Sequence, residues 1–67
     1  MQITDENKLD FSRASNSANN LAGHCLVAFW DASTHSVESA QYHATMASNE
    51  FKTLADLLGY TVTEKED

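Results

Sequence analysis

Three observations predict an all-α chain folded as an antiparallel two-helix hairpin. Two long runs place apolar letters in alternating three- and four-residue steps, a short polar stretch separates them, and a glycine stop signal closes the second. The whole chain of 67 residues, 42% hydrophobic with two Gly and no Pro, reads as one small helical domain over 1–67. Its ends, 1–9 and 60–67, read as flexible or briefly extended.

The first stripe runs through Phe11, Ala14, Ala18, Leu21, Cys25, Ala28 and Ala32. Asp10 is placed to cap its start, with Leu9 packing on Ala14 as a hydrophobic staple. Ser15 to Asn20 opposes the pattern, because Ser-Asn-Ser-Ala-Asn-Asn is poor helix-forming material and Gly23 follows. A packed face overrides such propensities. The alternative is a small α+β domain in which 15–23 form a loop and 24–30 a buried strand.

Asp31 to Ser36 is short and polar, the length of a connection between antiparallel neighbours. The second stripe follows at Val37, Ala40, Ala44, Ala47, Phe51, Leu54 and Leu58. Ser36 or Thr34 caps its start, Glu38 sits in the first turn where the helix dipole favours an anion, and Gly59 supplies the C′ residue. Ser48-Asn49-Glu50 would suit a second helix start, but the stripe crosses it in phase, so one long helix is expected.

A chain this short buries only about 60% of the surface its unfolded form exposes, and one cysteine forms no internal disulfide. Self-association or a client protein is the natural supplement, and two hairpins are expected to dimerise into a four-helix bundle. Cys25 to Trp30 is apolar all the way round the helix, more than a hairpin stripe needs. Off the stripes, Leu26, Trp30, Tyr42 and Met46 gather at the loop end as residue types favoured at interfaces, with Asp31, Glu38 and Glu50 as a negative rim. The alternative is that these four side chains fold inward as a local core.

Four basic residues, Lys8, Arg13, Lys52 and Lys65, are scattered among ten acids, giving a net charge of -6. Direct nucleic-acid binding and docking on an anionic membrane are both disfavoured; a basic protein surface suits better. The first twenty residues show no basic segment followed by an apolar core, and Cys25 to Trp30 is too short to span a bilayer. A cytoplasmic location is expected, with Cys25 a small buried hydrophobe.

The chain offers little chemistry. His24, His35 and His43 form no His-x3-His or Glu-x-x-His pair on one helix, and His35 with Glu38 is too small a ligand set, so no metal site or cofactor is expected. No nucleophile elbow, catalytic triad or phosphate-binding glycine loop is present. The sequence therefore points to a non-enzymatic protein-interaction module, of the kind found among small phage- or plasmid-type regulators and inhibitors, that occupies a surface on a larger, basic partner. The alternative is a structural homodimerisation domain with no inhibitory role.

Overall fold

The computed structural model describes residues 2–34 and 36–65. Helix α1 spans Lys8–Thr34 and helix α2 spans Val37–Leu57, and the two pack side by side as an antiparallel hairpin with no strand among the described residues. Residues 24–30 lie inside α1, which sets aside the α+β alternative.

Helix α1 starts earlier than its sequence suggests. The Thr4 backbone N–H donates to Asn7 Oδ1 at 2.8 Å and the Asn7 N–H donates to Thr4 Oγ1 at 3.2 Å, a reciprocal capping arrangement. Lys8 N–H then reaches Thr4 O at 3.0 Å. Asp10 is not the cap: it lies in the first turn, where the dipole favours it, and meets Arg13 at 3.4 Å. Leu9 is exposed and forms no staple on Ala14. The helix continues unbroken through Ser15 to Asn20 because Ala14 and Ser17 are buried against α2. Tertiary packing here outweighs propensity.

The connection is tighter than the expected Asp31 to Ser36. α1 continues to Thr34, and Ser33 Oγ and Thr34 Oγ1 donate back to Phe29 O and Trp30 O at 2.9 and 2.7 Å. Ser36, in extended backbone conformation, caps α2 by accepting the Ser39 N–H at 3.3 Å. At the far end Gly59 has φ 89°, its N–H reaches Asp56 O at 3.0 Å, and Tyr60 N–H reaches Ala55 O at 2.8 Å. These two bonds make a complete Schellman motif, with glycine taking the left-handed position as expected. The chain after it turns back along α2, where Lys52 Nζ donates to Glu64 Oε1 at 2.6 Å.

The helices meet on a seam rotated from the apolar stripes. On α1 the less exposed positions are Asp10, Ala14, Ser17, Leu21, His24, Ala28 and Asp31, joined at the open end by Phe11. Ala14, Leu21 and Ala28 belong to the predicted stripe, whereas Ala18, Cys25 and Ala32 from the same stripe are exposed. On α2, Ala40, Ala47 and Leu54 face inward as predicted, together with His43, Glu50, Ala55 and Leu57 and the capping Ser36, and Leu58 just beyond the helix is half-buried, while Val37, Ala44 and Phe51 stay out. In heptad terms Ala14, Leu21, Ala28, Ala40, Ala47 and Leu54 are a positions; Ser17, His24, His43 and Glu50 are d positions. The remaining stripe residues are e positions. Position a is common to both seams, so a pattern of a with e looks like a hairpin core when read along one chain, although the hairpin closes through a with d.

The resulting core is thin. The buried apolar residues are Ala14, Ala40, Ala47 and Ala55, and no large side chain is fully buried. The body measures 45 × 26 × 12 Å, its least dimension that of a single helix with side chains, about 10–12 Å.

Candidate interaction surfaces

In an antiparallel pair the e positions of both helices flank the seam on one side and the g positions on the other, with b beyond e and c beyond g. The hairpin therefore has two broad faces. On the first lie Phe11, Ala18, Cys25 and Ala32 with Val37, Ala44, Phe51 and Leu58, extended outward by Ala22 and Phe29. Phe29 is 68% exposed and Val37 78%. No e or b position within the helices carries an acid, and the single cation there is Lys8 at the start of α1.

The second face carries the loop-end patch. Val27 and Met46 occupy g positions, and Trp30 and Tyr42 c positions, 57% and 60% exposed. Leu26 stands farther round, at the outer edge of α1, two-thirds exposed. Met46 is half-buried. Trp30, Tyr42 and Met46 are thus brought to one end of one face, and Leu26 adjoins them.

The three acids expected to rim this patch differ in placement. Glu38 is exposed one turn before Tyr42. Asp31 is partly buried and accepts a short hydrogen bond from Ser39 Oγ, tying the end of α1 to the start of α2. Glu50, also half-buried, accepts from Asn20 Nδ2 at 3.5 Å across the seam. Both Asp31 and Glu50 serve interhelical contacts as well as contributing charge.

The structure also pairs two residues that within-helix spacing cannot connect. His24 and His43 face each other at d positions with Nδ1 to Nδ1 at 3.0 Å, their rings 5.2 Å apart. A contact between two ring nitrogens requires one to donate and the other to accept. The signal available in the sequence was their reflection about the loop, visible only once the antiparallel register is fixed. Tyr42 packs edge-on to the His43 ring. His35 lies outside the described residues, and among those described no three His, Cys, Asp or Glu side chains gather where a metal ion could be held.

An open depression of about 380 Å³ lies on the outer flank of α2, between Gln41, Thr45, Ser48 and Lys52 and the returning Glu64. Lys52 lowers the Glu64 carboxyl below its ordinary range by its hydrogen bond and its positive charge. Cys25, expected to be buried, is exposed on the first face. Among the described residues no helix is long and apolar enough to cross a membrane. Neither a family model, nor a curated protein, nor a solved structure matches the chain.

Proposed function

We propose that the protein is a non-enzymatic interaction module, acting in the cytoplasm as a small regulator or inhibitor that occupies a surface on a larger protein. The observation that carries this reading is the loop-end patch: Trp30 and Tyr42, more than half exposed, stand beside Met46 and Leu26 on a rigid pair of helix ends. Large amphipathic side chains held on packed helices lose little entropy on binding and supply most of the energy at such contacts. The net charge of -6 favours a basic partner and speeds its approach. The mechanism is steric: the patch anchors in an apolar pocket of the client, and the exposed Glu38 carboxylate beside it selects positive charge.

The test is capture from the native host with wild-type chain and Trp30→Ala in parallel, followed by titration of the captured client. A client held by the wild type should bind Trp30→Ala more weakly by about 2 kcal/mol or more, the variant keeping its helical circular dichroism. A folded variant with unchanged affinity removes the patch from the interface.

A further inference from the structure

The first face, whose e and b positions lie open along most of its length, also calls for an occupant. The chain exposes 5397 Å², whereas a compact monomer of its mass exposes about 4200 Å². Its radius of gyration is 14.2 Å, against about 11 Å for a compact domain of this length. The excess of about 1200 Å², shared between the open faces and the chain ends, is larger than the ~800 Å² each partner gives to a standard interface. A slab one helix thick becomes an ordinary two-layer domain when one more layer is laid on it.

We infer that this layer is a second copy of the same chain, packed through the e and b face to make a four-helix bundle of two hairpins. Charge selects this occupant. Two chains of net charge -6 repel least where the surfaces that meet hold no acids, and this face has none at its e and b positions, its single charge being Lys8 at the start of α1, whereas the opposite one carries Arg13 and Asp56 at its g and c positions. A basic client would leave its own cations unpaired here. Shape agrees: Ala18, Ala22, Cys25 and Ala44 let the layers approach closely at the centre, and Phe11, Phe29, Val37 and Phe51 supply bulk toward both ends. The interhelical hydrogen bonds His24 to His43, Asn20 to Glu50 and Asp31 to Ser39 all involve d and g positions, so none of them is broken when the e side is covered. The patch at Trp30 stays outward, and the inference is independent of the client proposed above.

Sedimentation equilibrium of the full chain should give twice the chain mass. Phe29→Glu should raise the dissociation constant of the pair by about a hundredfold or more, because it places an unpaired carboxylate in the interface, whereas Trp30→Glu on the opposite face should change it by less than about threefold. The unmodified chain supplies a second readout that does not depend on any variant folding. Cys25, exposed in the single hairpin, should react with a maleimide at least about ten times more slowly above the dimerisation midpoint than below it. A helical wild type that stays monomeric at millimolar concentration overturns the inference. So does a dimer lost in Trp30→Glu but kept in Phe29→Glu, or a Cys25 rate that is constant across the transition.

Discussion

The two faces of the hairpin are built from the same two helices and differ in one respect: where polar groups were placed. The side containing the d and g positions carries the histidine pair, the Asn20 to Glu50 bond and the Asp31 to Ser39 tie, and its apolar residues gather near the loop, with Leu9 and Leu57 alone at the far end. The side containing the e and b positions has apolar residues along its length and no acid within the helices, its one charge being Lys8 at the start of α1. Polar contacts across a seam fix register and orientation while adding little net stability, because each replaces a bond to water. Apolar area does the reverse. One side of this hairpin specifies how the helices pair, and the other holds the surface that can add stability.

Substitutions can break or sharpen that contrast. Leu54→Asp acts on the seam common to both faces, beside Ala14 in the register set by His24 and His43, and should unfold the chain, costing more than about 3 kcal/mol in a thermal melt. An unchanged melting temperature would mean that the seam is misassigned. Trp30→Ala should separate the faces, costing about 2 kcal/mol in client affinity with self-association intact. His24→Leu alone should cost about 1–3 kcal/mol by stranding His43, whereas His24→Leu with His43→Leu should recover most of the loss, since replacing both partners removes the unmet demand. If the double variant is no better than the single, the pair is not a coupled unit. The smallest effect concerns the returning tail. Glu64 is held below its ordinary carboxylate value of 4.5 by Lys52, so the tether is complete above that pH and is lost only as pH falls through the lowered value. The protection of amides 60–65 relative to their intrinsic exchange rate at each pH should therefore fall under acid, and Lys52→Ala should lower it in the same way at neutral pH.

The sequence carried the helices well, since three- and four-residue spacing, Ser36 and Gly59 are local signals and the backbone obeys them. It carried the seam only in part. Ala14, Leu21, Ala28, Ala40, Ala47 and Leu54 were found because position a serves both seams; Ser17, His24, His43 and Glu50 were missed because polar letters at d carry no hydrophobic signal. Cys25 was placed inside for the corresponding reason: its stripe is apolar, but that stripe faces away from the other helix. The clustering of Trp30, Tyr42 and Met46 at the loop was legible from hairpin symmetry alone. The engagement of Asp31 and Glu50 in interhelical bonds was not, because it depends on side-chain reach across the seam.

The tight connection between Thr34 and Val37 bears on how the chain avoids misassembly. Suppose those residues joined the helices into one rod from 8 to 57. At 100° per residue, Ala40 would emerge about a third of a turn away from the line through Ala14 and Ala28, and no straight partner could follow both halves of the seam. One route by which hairpins exchange halves is to open the loop into such a rod. By resetting the helical phase, the connection leaves the exchanged form without a continuous core, and the closed hairpin becomes the arrangement in which both halves of the seam are satisfied together.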